Sequence, residues 1–432
     1  MPACSTLFRL FVFSLTLSWT TTLARADNWE RFRGPNGTGI ANDKNIPVKF
    51  SATEGVLWKA PIPGDGISSP IVWGDRVFLQ TASLDGSDRS LLCLDAKTGK
   101  EIWTRTVPGI KPNQKLRLDS SLASATPTTD GKAVFVPFWN GKDILLVAYN
   151  FNGDKLWERN LGRFVSQHGP GASPILYKDL LIFSLDNDAH YDQVKKDKLV
   201  PDPSKLFALN KKTGKTVWES PREALRACYS VPFFLERPGR QPELIVTSTT
   251  AVTSYEPESG QRNWDWRWTF PSIALRTIAS TTYADGMLLC CSGADGHRFL
   301  AALDIKNQSA DAPPKEVWQN KKQFPYVNCP LAKGDHVYIV NDKGFAGCFH
   351  ARTGKERWFE RLGGDVYASP VMIDGKIYAP NDAGDVYVIA ADPTYKQFAR
   401  NAMGERIRAT PAVADGRLYI RGQFHLFCIG EK

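Results

Sequence analysis

The chain has 432 residues, 42% hydrophobic and 23% charged, with 54 Lys and Arg against 45 Asp and Glu. This composition belongs to a globular protein with a substantial core and excludes a disordered or fibrous chain. The formal charge of +9 is scattered along the chain; with no basic stripe and no known module, nucleic acid is excluded as a partner.

Residues 7–23, LFRLFVFSLTLSWTTTL, are mostly apolar and end at Ala24-Arg25-Ala26, ahead of a polar DNWE. This pattern predicts an export signal over residues 1–26, cleaved near Ala26, and so a periplasmic or secreted protein that is not integral to the membrane. Arg9 and Arg25 fall in that leader and no acid does, leaving 52 basic and 45 acidic groups, a net +7. Residues 27–54 read as an N-terminal extension. Within it GPNGTG, 34–39, lacks the Gly-Lys-Ser/Thr of a phosphate loop and reads as surface chain.

From residue 55 onward the chain repeats itself. One mark is a small residue and proline leading into an alternating strand, a tight turn and a second strand, as in SSPIVWGDRVFLQ from Ser68. It recurs near Pro70, Pro127, Pro174, Pro232, Thr282, Pro330, Pro370 and Pro411, which makes eight units. The other mark is LDAKTGKEIW, 94–103, a strand, a glycine turn and a strand ending in Trp. Its tryptophans are Trp103, Trp157, Trp218, Trp264, Trp318 and Trp358, with Phe398 in a degenerate seventh place. Alternation predicts half-buried strands, and Asp-Gly and Thr-Gly supply positive-φ turns. Each unit therefore makes a four-stranded antiparallel sheet that must cover its neighbour, the pattern of a propeller.

The last unit ends at Ile429 without its Trp strand, while GVLWKAPIPG, 55–64, is a Trp strand with no unit before it. Trp58 should complete blade eight. The fold class predicted is thus all-β, an eight-bladed propeller over residues 55–432 closed by an N-terminal strand, and a monomer.

Eight cysteines are present, Cys4 in the leader. Cys93, Cys348 and Cys428 alternate with Ala148, Ala208 and Ala302 at one repeat position, which marks a small buried site. The histidines show no zinc-ligand spacing, there is no nucleophile elbow, and no carboxylate pair suggests glycoside hydrolysis. Trp264, Trp266 and Trp268 share one face by period two and read as packing between blades.

These repeats resemble the PQQ-like, quinoprotein-type propeller family and its AxDxxTGKxxW tryptophan-docking motif. Among its members the chain is most similar to the secreted, non-catalytic, BamB-like branch. That resemblance implies a binding or assembly scaffold for a protein or envelope polymer, with no cofactor. The alternative branch implies a dehydrogenase holding pyrroloquinoline quinone and calcium. Cys290-Cys291 resembles that branch's vicinal pair, but SGADG follows it where a VNRG-like sequence should stand, and it ends a strand inside a blade. Asp186, Asn187 and Asp188 could offer calcium oxygens.

The repeat turns fall on one face of the ring, so function is expected on the other, where the non-repeating loops gather. Ser68, Ser121, His168, Arg226, Tyr229, Arg276, Asn328, Tyr367 and Arg408 are the candidates for a ligand-binding funnel. Asp186, His190, Asn341, Asp342, Asn381 and Asp382 are the candidates on the loops between second and third strands. Arg226, Arg276 and Arg408 read as equivalent positions, either solvated, paired with Asp342 or Asp382, or facing an anionic or carbonyl-rich ligand.

Overall fold

The computed structural model describes residues 28–112, 116–117, 120–188, 202–269, 276–294, 297–309 and 312–431. Among them are eight sheets, each with its blade's four strands in antiparallel order from the axis outward. Blade one runs Ile71–Trp73, Arg76–Ala82, Asp88–Asp95 and Glu101–Pro108. Blade eight is Ala412–Ala414, Arg417–Arg421 and His425–Ile429, and its fourth strand is Val56–Pro61 from the far end of the chain. Trp58 lies opposite Cys428, so the ring is closed as the orphan strands predict.

Middle strands are buried on both faces because each blade is covered by two neighbours; Leu180–Leu185 is buried throughout. Outer strands face solvent and alternate, as in Thr216–Pro221. The seams between blades are apolar: Phe78, Leu91 and Cys93 of blade one pack with Val134, Val136 and Val147 of blade two.

The tryptophan motif is a blade-to-blade clasp. Trp58 Nε1 donates to Ala96 O at 3.0 Å, Trp103 to Phe151 O at 2.9 Å, and Trp157 to Lys211 O at 2.9 Å, each carbonyl lying in the next blade's turn. The turn glycine gives the ring its seat. A Cβ on Gly99, which has φ +70°, would lie 2.5 Å from the Trp58 ring. The same seat recurs at Gly214 for Trp157, Gly260 for Trp218 and Gly354 for Trp318. The small site opposite is Cys93 facing Trp103, Ala148 facing Trp157 and Cys348 facing Trp358. Blade five's turn lacks the Thr-Gly, and Trp264 accordingly donates within its own blade, to Glu243 Oε2 at 3.0 Å.

The seventh tryptophan site is Ala399, which lies opposite Val388; Phe398 is one residue off that register. The reason is topological. Blade eight is closed by two chain ends and has no third-to-fourth-strand turn for a tryptophan to dock on. The preceding segment runs along blade seven's outer strand instead: Asn401 Nδ2 donates to Val48 O at 2.9 Å, and Phe50 N to Asn401 Oδ1 at 3.0 Å.

Trp264, Trp266 and Trp268 pack on one cluster between blades four and five. Cys290 and Cys291 are free, buried and adjacent in one strand, and they join different seam clusters.

Residues 29–41 do more than cover the surface. Pro35, Asn36 and Thr38 are exposed, but Arg31, Arg33, Gly34 and Gly39 are buried. Trp29 bridges Val72 of blade one, Thr129 N of blade two donates to Glu30 O, and Ile40–Ala41 pairs in parallel with blade seven. Arg31 Nη2 reaches Pro232 O at 2.6 Å, while Arg33 reaches Cys329 O at 3.1 Å and Pro330 O at 2.8 Å. Burial lowers the pKa of both guanidiniums, Arg31 to about 10. The segment crosses the axis on the turn face and sets Phe32 against the cluster between blades three and four and the cluster between blades five and six.

Candidate functional site

The lead-in to each inner strand is extended, so successive side chains alternate between the axis and the blade. Thr282 pairs with Leu289 as Ile71 pairs with Phe78, so blade five's proline position is Thr281 and not Thr282. The third residues before the proline position are then Ile67, Ser124, Gly171, Tyr229, Ile278, Val327, Tyr367 and Arg408, and all eight line one central funnel. The residues immediately before the proline position supply Ser69, Thr126, Ser173, Val231, Ser369 and Thr410 to the same wall, and Phe32 is its floor. The cavity is about 600 Å³. Residues between these two rings turn into the blades.

That register decides which sequence candidates reach the funnel. His168, Arg226, Tyr229, Arg276, Tyr367, Arg408 and Asp342 line it. Ser68 and Asn328 occupy the in-between position and are fully buried, Asn328 Nδ2 donating to Val340 O at 3.0 Å. Ser121 lies behind the wall, in a side cavity of about 140 Å³ beside Arg406 and Arg421. Asn341 and Asn381 cap their own loops: Asn341 Oδ1 accepts from Lys343 N at 3.0 Å, and Asn381 Oδ1 from Asp385 N at 2.8 Å. His190 lies outside the described residues.

The three arginines are not equivalent. Counted back from the proline position, Arg408 is third, Arg276 fifth and Arg226 sixth. Arg276 is 1% exposed and is paired with buried Asp188 at 3.1 Å, so its partner is neither Asp342 nor Asp382. Arg408 does pair with Asp382, at 2.7 Å, and lies 4.8 Å over the Tyr367 ring. Asp342 is held by Arg298 at 2.7 Å. Burial alone would raise the Asp382 carboxyl, but hydrogen bonds from Arg408 and Arg406 outweigh it and hold it below its ordinary value.

The wall also contains residues that the repeat does not mark: Arg117, Gln167, Tyr326 and Lys343 join it from loops, and Arg298 from the start of the strand His297–Asp304. With its amide oriented as its neighbours require, Gln167 Oε1 accepts from Arg276 at 2.9 Å and Arg226 at 3.3 Å. Among the described residues Arg117, Arg226, Arg276, Arg298, Lys343 and Arg408 line the funnel with Asp342 and Asp365, while Asp188 and Asp382 pair with Arg276 and Arg408 from behind the wall. The mouth is therefore cationic, over a throat of hydroxyl, aliphatic and tyrosine side chains.

A quinone with calcium does not fit these residues. Asp186 is committed to Arg222 at 2.9 Å, and Asp188 to Arg276. Burial pushes the Asp186 pKa up to about 6 against the pull of Arg222. Cys290 and Cys291 lie opposite Ala301 and Leu300 inside blade five, on opposite faces of one strand, rather than over the funnel. Among the described residues no three His, Cys, Asp or Glu side chains converge as a metal site, and no helix is long and apolar enough to cross a membrane.

Comparison with known proteins agrees with this architecture. The family described as outer membrane protein assembly factor BamB matches residues 17–173, 146–309 and 183–360. The protein of that name from Bordetella pertussis is 24% identical over 168 residues, 38% of this chain and 42% of that protein. The chain spans less than two thirds of the length of the curated relatives it matches. The crystal structure of BamB from Moraxella catarrhalis superposes with a TM-score of 0.60 at 15% identity, covering 87% of this chain and 97% of that one. A quinohemoprotein alcohol dehydrogenase from Pseudomonas putida superposes with a TM-score of 0.52 at 14% identity, covering 84% and 76%. At such identities the superpositions show the fold alone. The matched repeats span most of the ring, and the chain belongs to the BamB family of PQQ-like repeat propellers.

Proposed function

We propose that this chain is an exported, BamB-like assembly scaffold that works by binding a protein partner of the cell envelope on its funnel face. The observation that carries the reading is the asymmetry of the ring. Repeat turns and the 29–41 segment occupy one face, while on the other the described residues bring six cationic side chains together with four carboxylates, Asp188, Asp342, Asp365 and Asp382, a cationic excess. Such a field suits an acidic partner and speeds its capture. Family membership supports the scaffold role, and the apolar leader at residues 7–23 supports export.

The test is charge reversal. Arg117, Arg226 and Lys343 changed together to Glu should abolish capture of the envelope partner with the fold kept, since Arg117 and Lys343 are exposed and such charges seldom contribute more than about 1 kcal/mol, while half-buried Arg226 gives up its hydrogen bond to Gln167. Arg276 is left out because breaking its buried pair would destabilise the fold. The matched change of Lys97, Lys212 and Lys355 on the turn face should leave capture intact. Loss of capture in the turn-face variant alone contradicts the reading.

A further inference from the structure

The funnel's throat carries a chemistry that a protein-docking role does not require. Ser69, Thr126, Ser173, Ser369 and Thr410 ring the axis, each at most 4% exposed. Four of these hydroxyl oxygens already accept a backbone N–H from the preceding blade. Ser173 accepts from Thr126 N at 2.9 Å, Ser369 from Cys329 N at 3.0 Å, Thr410 from Ser369 N at 3.0 Å and Ser69 from Thr410 N at 3.1 Å. These bonds stitch the blades together and use one of the two lone pairs on each of the four oxygens. A hydroxyl also has one proton to donate. Among the described residues none of the five donates it to a protein group, and all five border the cavity.

The throat therefore offers five O–H protons toward the cavity. The carboxylates that line the cavity among the described residues, Asp342 and Asp365, are engaged by Arg298 at 2.7 Å and Lys343 at 3.1 Å. Arg408 projects from the ring just above the hydroxyls, its guanidinium held by Asp382 and Tyr367. A cavity of about 600 Å³ has the volume of a small-molecule site and is too small for a folded domain. The geometry points to this throat as a binding site for the oxyanion of a small molecule, a carboxylate or a phosphate. Convergent O–H donors below and a fixed guanidinium above match that ligand's acceptor-only oxygens. This goes beyond the scaffold reading, which concerns the outer rim and a macromolecule.

The experiment is titration calorimetry of the whole exported protein with inorganic phosphate and, separately, succinate, against chloride at equal ionic strength. At least one oxyanion should bind saturably where chloride does not. Phosphate alone would assign a phosphoryl ligand and succinate alone a carboxylic acid; either supports the site. Ser124→Phe, which fills the upper ring without changing charge, should abolish binding. Arg408→Gln should weaken it at least about tenfold, and it decides the matter should Ser124→Phe fail to fold. No saturable binding of either anion to the unaltered protein overturns the proposal. So does unchanged binding in a folded Ser124→Phe protein. Partner capture that survives Ser124→Phe leaves the scaffold reading standing whichever way the anion result falls.

Discussion

Gly99 shows how one position carries two demands at once. Its φ of +70° disfavours any L side chain, and the space a Cβ would need is taken by Trp58. Gly99→Ala should therefore lower stability by about 2 kcal/mol or more, while Trp58→Phe, which loses one hydrogen bond but keeps much of the packing, should cost about 1 kcal/mol. Thermal melts of the two variants check the order. Asp382 gives a pH-dependent counterpart. Its folded pKa lies below the ordinary 3.8, so its contribution is complete above that value and is lost as pH falls through the lower one. The stability gap between the wild type and Asp382→Asn should thus be constant near neutrality and close in acid; a gap that widens below pH 3.8 contradicts the assignment. At this scale the sequence showed which loops approach the axis but not which side chains do. Ser68 and Asn328 look like funnel residues until the alternating register is known, and one step along an extended chain turns a side chain from the axis into the blade. Asp188 could not be matched to Arg276 from sequence, because the pair spans 88 residues.

Blades were the most legible element, because repetition samples the same physics eight times. Strand number, turn residues and the closing role of Trp58 all follow from that repetition. The seventh tryptophan and the 29–41 segment were less legible for opposite reasons. The first is missing because its docking turn is replaced by chain ends. The second has no repeat to compare with, and its buried arginines are satisfied by backbone carbonyls that no residue pattern announces. Two deletions separate these elements. Removing residues 28–54 but keeping Val56–Pro61 should leave a closed ring with a lower melting midpoint, since Arg31, Arg33 and Phe50 lose their buried contacts. Extending the deletion through Pro61 leaves blade edges unpaired and should abolish cooperative unfolding and favour aggregation. A longer deletion that stays monomeric with an unchanged midpoint would show that closure is dispensable.

For the whole molecule, the fold is shared with oxidoreductases and with an assembly factor, so the site has to separate them. Here the carboxylates nearest a calcium role are already paired with arginines, and the cysteine pair is split across two faces of a strand. Pyrroloquinoline quinone with calcium should accordingly give no calcium-dependent, saturable absorbance change and no dye-linked oxidation of alcohols or sugars; stoichiometric, calcium-dependent binding would reverse the choice of branch. The central claim is that the loop face is the working face. Its most direct measurement is site-specific photocrosslinking in the native envelope, with a photoreactive residue at Arg117 or Lys343 on the rim and at Lys97 or Lys212 on the turn face. One discrete protein adduct is expected from the rim positions and none from the turns; an adduct from the turn positions with none from the rim would show that the turn face is the working one.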